Sequence, residues 1–535
     1  MTPAGWPLVL AKQMRALDTH TIDIVGTPGA VLMEAAGGAI ARAALDLLEK
    51  APGAVVVFCG PGNNGGDGWV AARVLVAAGQ RVAVIGVGSA EKRTGDARFH
   101  YERAREAGVA EVATLSELGT SAGVSVVVDA LFGTGLARAI DEGAAATAIK
   151  AIAELRTAGA RVVAADLPSG LCADTGQVLG CCVEADETVT IGLPKPGLLL
   201  EPGRSRSGRV RVARAGIVAV APDIAIDVHA MTRAAARGLL PARPRTGHKG
   251  TFGHALIVAG SEGKTGAAAL AARAALRGGA GLVTLACPAG LNDILEPLCL
   301  EAMTIPVADT AARGFAASAE DELLALAHER SVVALGPGLG QEPETVSLVR
   351  ALVGRCERPL VLDADGLNAL GDAPELLRGR SAPSVLTPHP GEAARLLSVS
   401  PSEINADRLQ YARELAERSG ATVVLKGAPT VTARPDGAVV VNTSGGPALA
   451  VGGTGDVLTG LVAALLAQGV TAESSASLGA FVHGCAGDRI AARNGPTGLL
   501  ASDLVDELPA ALREVSEAAR DVDLDSDSLL GFPEP

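Results

Sequence analysis

Several short segments put carboxylates and amides where glycine-rich turns would present them. In GPGNNGGDG, residues 60–68, the side chains of Asn63, Asn64 and Asp67 crowd a turn containing Gly60, Gly62, Gly65 and Gly66. The stretch GPGNNG fits G-x-G-x-x-G between a strand-like run and a helix-like one, the outline of a turn that brings backbone amides to an anion. A dinucleotide turn also needs an acid at the end of the next strand to hold ribose hydroxyls. Here that strand reads RVAVIGVG and ends without one, which makes a hydride-transferring dehydrogenase the weakest reading. The extra amide and carboxylate oxygens suit a cation or a polar substrate instead. Support of the turn accounts for one such residue, not for three.

Two further segments, VVVDALFGTGL and VVAADLPSG, each end an apolar strand in an aspartate followed by glycine. Adjacent parallel strands open their carboxyl ends onto one crevice, so Asp129, Gly133, Gly135, Asp166 and Ser169 are expected to share a pocket with Asn64 and Asp67. A second constellation begins at GGTGD, 452–456, where a glycine-rich turn opens a helix with Asp456 in its first turn. The amides of residues 453–456 would surround an anion and the helix dipole would add to the field. A helix cap alone would need the aspartate but not the GGTG before it. GPGLG (336–340), DADGLNAL (363–370), TPHPGE with His389, and VLKGAPT with Lys426 each follow an apolar strand and fit the same site. GSEGKT (260–265) is not a P-loop, because the first glycine that motif requires falls on Val258.

These segments need elements to hold them. Strand-like runs at 54–59, 81–87, 124–129 and 161–165 alternate with helical runs near 68–79, 94–107 and 142–158, and shorter strands near 187–191 and 209–213 close the unit. Two helices precede it within residues 1–50. A second series has strands at 281–286, 331–335, 359–363, 384–387, 422–426 and 438–442, with helices near 265–278, 342–353, 405–419, 456–468 and 472–492. Alternation of this kind predicts parallel sheets with helices on their faces, an α/β fold. The basic, Gly- and Pro-rich stretch within 222–250 separates the units, giving domains 1–222 and 223–515 and an acidic, disordered tail over 516–535.

At 535 residues and 48% hydrophobic, the chain has material for more than one core. Its net charge of −13 disfavours a nucleic-acid partner. Eight cysteines without a C-x-x-C pair are expected to be free thiols in a reducing cytoplasm. No apolar run reaches membrane-spanning length and no leader pattern opens the chain, so a cytoplasmic protein with no membrane partner is expected. The abundant apolar residues are compatible with a homo-oligomer.

GPGNNGGDG, DALFGTGL and DLPSG together resemble the epimerase domain of the bifunctional NAD(P)H-hydrate epimerase and dehydratase family. KGTFGHALIVAGS, GAGLVTL, GPGLG, DADGLNAL, TPHPGE, VLKG and GGTGDVLTG are similar, in order, to that family's ADP-dependent dehydratase domain. The resemblance spans most of the chain and implies a Rossmann-like three-layer domain followed by a ribokinase-like one. It implies that Asn63, Asn64, Gly65, Gly66, Asp67, Gly133, Thr134, Gly135, Leu136, Ala137, Arg138, Ala139 and Asp166 contact hydrated NADH or NADPH. Asn64, Asp129 and Ser169 would hold a potassium ion. In the second domain Ala255, Gly338, His389 and Asp456 would meet the hydrated cofactor, and Lys426, Gly427, Ala428, Pro429, Thr430 and Gly455 the adenine nucleotide, carried with magnesium.

The chemistry so implied joins an epimerase of the R and S hydrates to a dehydratase of the S form, releasing AMP and phosphate from ADP. Asp456 is the expected base of the dehydration, and Asp166 the acid–base group of the epimerisation. The rival is a ribokinase-like small-molecule kinase fused to a non-catalytic nucleotide-binding module. It would share GGTGD but leaves the NNGGD domain unexplained, and its product would be a stable phosphate ester.

Overall fold

Runs such as AVVVFC and RVVAA carry no alternation of polar and apolar residues, as strands buried on both faces require. A computed structural model describes residues 5–114, 117, 123–519 and 530–532. The chain divides into two compact units, with the main break between Val228 and His229.

In the first unit the eight-stranded sheet runs Leu530–Phe532, Arg209–Ala213, Glu187–Ile191, Arg161–Ala165, Val124–Ala130, Ala54–Cys59, Val82–Gly86, Ala110–Val112. All neighbours are parallel except the Leu530–Phe532 pair, which runs antiparallel to Arg209–Ala213. The order reverses between Ala54–Cys59 and Val124–Ala130, and the crevice of such a sheet opens there. Helices Gly29–Leu48 and Asn63–Ala77 pack on one face, around Ile40, Trp69 and Leu75. Gly143–Thr157 covers the other with Ile149 and Ile152.

The second unit's eleven-stranded sheet is parallel from Met303–Val307 through Leu282–Pro288, His254–Val258, Val332–Leu335, Leu360–Leu362 and Ser384–Leu386 to Thr422–Leu425. Val431–Ala433 and Val439–Val441 then continue it antiparallel. Its order reverses between His254–Val258 and Val332–Leu335. Helix Thr454–Ala467 is apolar nearly all round and is accordingly central, buried from Val457 to Ala467. Its approach to helix Thr265–Arg277 depends on Gly460, where a Cβ would stand 2.1 Å from the carbonyl oxygen of Ala271.

Three expectations are corrected. The stretch 222–250 is not a bare linker, since it contains strand Val228–Ala230 and helix Arg233–Leu239, whose Val228, Ala230, Ala235 and Ala236 are buried. The tail is not wholly unstructured. Ser516 ends helix Ala501–Ser516, and Leu530 and Phe532 are buried in the strand described above, while 520–529 and 533–535 lie outside the described residues. The helix expected near 68–79 begins at Asn63, so Asn63, Asn64 and Asp67 belong to the helix and not to a loop ahead of it, whereas Asp456 lies in the first turn of helix Thr454–Ala467 as expected. All eight cysteines are free, five of them buried. Among the described residues no helix is long and apolar enough to cross a membrane.

Candidate functional site

Each unit has a constellation at its reversal point. In the first, Gly62 precedes the helix and leaves Asn63, Asn64, Gly65, Gly66 and Asp67 at its opening, where the amides of Asn63, Asn64 and Gly65 lack helical partners and that of Gly66 donates to the Gly62 carbonyl. Gly65 has no room for a side chain, since a Cβ would lie 1.9 Å from the carbonyl oxygen of Gly60. This turn faces a cavity of about 500 Å³ whose lining includes Asn63, Asn64, Asp67, Gly133, Thr134, Gly135, Leu136, Asp166 and Lys195. Ala137, Arg138 and Ala139 are exposed and are not part of the lining.

Asp166 sits at φ +66°, a conformation costly for a residue with a side chain. It is held by a tight set of donors. Oδ1 accepts from Lys195 Nζ at 2.5 Å, the Ile191 amide at 3.1 Å and Thr190 Oγ1 at 3.3 Å, and Oδ2 from the Thr134 amide at 3.3 Å. Lys195 is wholly buried, and its ammonium also donates to Thr190 Oγ1 and the Ile191 carbonyl. Above Gly133, the carboxylate of Asp166 and the amide of Asn64 converge. A Cβ on Gly133 would stand 2.8 Å from Asp166 Oδ2 and 3.3 Å from Asn64 Oδ1. Burial, then Asp166 itself, pushes Asp67 well above the usual carboxylate range.

Beneath this floor Asp129 and Ser169 are fully buried. Ser169 donates its amide to Asp129 Oδ2 at 2.8 Å and its hydroxyl to Oδ1 at 2.7 Å, and the Leu131 amide donates to Oδ1 at 3.2 Å. Burial still raises Asp129 to about 6. A carboxylate, a hydroxyl and amide oxygens are hard donors of the kind an alkali cation takes, and a buried carboxylate short of positive charge favours one. The residues fit a potassium ion on those grounds. The Asn64 Nδ2 group is buried without a hydrogen-bond partner.

In the second unit Asp456 lies in the first turn of helix Thr454–Ala467, and burial followed by the charge of Asp363 raises it to about 7. Lys426, at the end of Thr422–Leu425, donates to Asp363 Oδ1 at 2.8 Å, and its ammonium would be 3.3 Å from a Cβ on Gly455. Burial opposes the charge on Lys426, but Asp363 and Glu392 overcome it and the lysine is held more firmly protonated. The turn Gly427–Thr430 is tied from below by Arg408, which donates to the carbonyls of Leu425, Lys426 and Pro429. Gly427 and Ala428 are exposed and Pro429 is buried. Gly338, at φ +63°, packs against Lys264, which pairs with Asp365 at 2.9 Å.

His389 has the structural role of a helix cap, its Nδ1 accepting from the amides of Gly391 and Glu392. Its side chain is nonetheless 57% exposed, with Nε2 3.5 Å from Glu392 Oε1. Ala255 lies in strand His254–Val258. It is wholly buried in the sheet among Ile257, Val283 and Val332.

The sequence marks Asp363 and Glu392 only as members of DADGLNAL and TPHPGE, and gives Lys195 and Arg408 no role. Signals for Lys195 and Asp363 were present, a lysine between prolines in GLPKPG and a first acid in DADG, but only the fold shows their partners. Nothing in the sequence marks Arg408.

Residues 29–197 match the family model of the YjeF-related protein N-terminus, and residues 255–510 that of NAD(P)H-hydrate dehydratase. The chain is similar to the bifunctional NAD(P)H-hydrate repair enzyme Nnr of Moorella thermoacetica, 43% identical over 524 residues that cover 95% of this chain and 97% of the other. The enzyme of that name from Thermofilum pendens is 42% identical over 512 residues, covering 95% and 96%. A crystal structure of the ADP/ATP-dependent NAD(P)H-hydrate dehydratase from Bacillus subtilis, co-crystallised with ATP and magnesium, is 32% identical. It covers 54% of this chain and 100% of that one, with a TM-score of 0.47.

Proposed function

The chain belongs to the bifunctional NAD(P)H-hydrate repair enzymes, and from that premise we propose which side chains carry its two reactions. The observation that carries the assignment is Asp456, a carboxylate raised to about 7 beside Lys426 at a helix opening. Hydrated NAD(P)H bears a hydroxyl at C6, and hydroxide is a poor leaving group. Asp456 takes the hydroxyl proton as that oxygen attacks the terminal phosphorus of ADP, and AMP departs. Lys426 and the free amides of residues 453–456 hold the charge of the moving phosphoryl group. Phosphate then leaves C6 as a proton leaves the neighbouring C5, and the ring double bond returns. Gly338 and His389 border the hydrated ring, while Gly427, Ala428, Pro429, Thr430 and Gly455 border the nucleotide.

Magnesium accompanies the nucleotide. It would screen the charge of the nucleotide phosphates beside Lys426 and the amides of the helix opening. In the first unit Asp166 moves the proton at the C6 centre, with Lys195 orienting its carboxyl, and Asn64 and Asp67 position the ring. A potassium ion near Asn64, Asp129 and Ser169 would supply local positive charge toward substrate oxygens. The reading includes ADP as donor, a cytoplasmic location and a homo-oligomer, in keeping with the family resemblance.

The test uses a mixture of R- and S-hydrated NADH with ADP, ATP or no nucleotide, followed by the near-ultraviolet absorbance of reduced nicotinamide. Full recovery with ADP is expected. Asp166→Asn should stop recovery once the S form is spent, and Asn suits the left-handed conformation of that position. Accumulation of a stable phosphate ester without recovery would replace the repair reading with the kinase.

A further inference from the structure

Asp363 is only 1% exposed, yet its carboxylate stands at the centre of the dehydratase constellation. Oδ1 accepts from Lys426 Nζ at 2.8 Å and Oδ2 from Thr459 Oγ1 at 2.8 Å, so it bridges the strand end at Lys426 and the helix that carries Asp456. It points at the same opening turn, 3.8 Å from where a Cβ on Gly455 would be. A buried charge is costly unless its partners are fixed, and here both partners belong to elements that must keep register for phosphoryl transfer. Structural support alone would be served by a neutral residue bonded to Thr459.

We propose that Asp363 is a positioning residue of the dehydration, seating the ammonium of Lys426 over the helix opening and setting the charge that Asp456 faces. This rests on the assignment of Asp456 as base. The charged groups facing Asp456 are Asp363 and Asp365 from the turn after Leu360–Leu362, Lys426 from the end of Thr422–Leu425, and Glu392 from helix Pro390–Leu397. Helix Ala472–Asn494 adds His483, whose Nε2 lies 2.8 Å from the Thr454 carbonyl oxygen and which burial keeps neutral, down to about 4. Of these, Asp363 is the foremost negative charge opposing ionisation of Asp456. Its loss therefore makes Asp456 easier to ionise and a weaker base.

The experiment compares the full chain with Asp363→Asn, Lys426→Met and the double variant, measuring dehydration of S-hydrated NADH with ADP from pH 5 to 9 (roughly the range over which such a carboxyl titrates). Wild-type turnover secures the underlying reading first, and thermal unfolding together with R-to-S epimerisation reports whether both units of each variant are folded. Asp363→Asn should move the acid limb to lower pH, lower kcat about tenfold and raise KM for ADP. The double variant should lie within about threefold of Lys426→Met in kcat, because Asp363 acts chiefly through the lysine. An unmoved limb and unchanged KM, with only a lower melting temperature, would assign Asp363 to stability alone. Should Asp363→Asn fail to fold, the double variant, which removes both members of the Asp363–Lys426 pair, decides the matter. A kcat about tenfold below that of Lys426→Met overturns the proposal.

Discussion

At the scale of the residue, environment separates carboxyl groups that look alike in sequence. Asp456 faces burial and the charge of Asp363 and is raised to about 7, whereas Asp365, for all its burial, is held below the usual range by Lys264 and the Gly340 amide. Only the first is suited to accept a proton near neutrality. A base must be ionised to act, so kcat/KM for dehydration is expected to fall about tenfold per unit as pH drops below about 7, and to level off above it. A pH–rate profile on the S hydrate checks this. Asp456→Asn should lose roughly 10²- to 10⁴-fold in kcat with epimerisation intact. A flat profile through that range would remove Asp456 from the role of base.

At the scale of the element, both constellations depend on glycines that let a helix start or pass close to another backbone. Helix Thr454–Ala467 meets helix Thr265–Arg277 at Gly460, where the added Cβ of alanine would meet the Ala271 carbonyl oxygen at 2.1 Å. Backbone cannot yield there as a flexible side chain would. Gly460→Ala should therefore cost about 1–3 kcal/mol and displace the opening turn that carries Asp456. Thermal unfolding and the two activities measured side by side check it, with dehydration falling and epimerisation unchanged. Equal loss of both activities would contradict this local account.

At the scale of the whole molecule, each compact unit draws on more than one stretch of chain. Residues near the C-terminus add Leu530–Phe532 to the edge of the first unit's sheet, beside Arg209–Ala213. Phe532 is 6% exposed, so Phe532→Ala should cost about 3–5 kcal/mol if that strand remains seated, read as a lowered midpoint of the unfolding step that also ends epimerisation. An unchanged midpoint would mean that the strand contributes nothing to that unit's stability.

The sequence by itself determined the alternation of strands and helices and the turns that gather chemistry. Valine-rich runs such as 54–59 and 161–165 can be satisfied only by burial on both faces, and glycine before an acid or amide marks where a strand hands over to a helix. Asn64, Asp67, Asp129, Asp166, Lys426 and Asp456 were legible for that reason. The short strands Met303–Val307 and Val431–Ala433 were not, because MTIPV and VTA lack the continuous apolar run that marks strands no longer than these, such as Leu360–Leu362 and Val439–Val441. Tertiary structure alone decided that Lys195 meets Asp166, that Asp363 joins Lys426 to Thr459, that Arg408 ties down the Gly427–Thr430 turn, and that Ala255 is sealed in the core. Those pairings join residues far apart in the chain. Their proton affinities and burial depend on distances that no local pattern encodes.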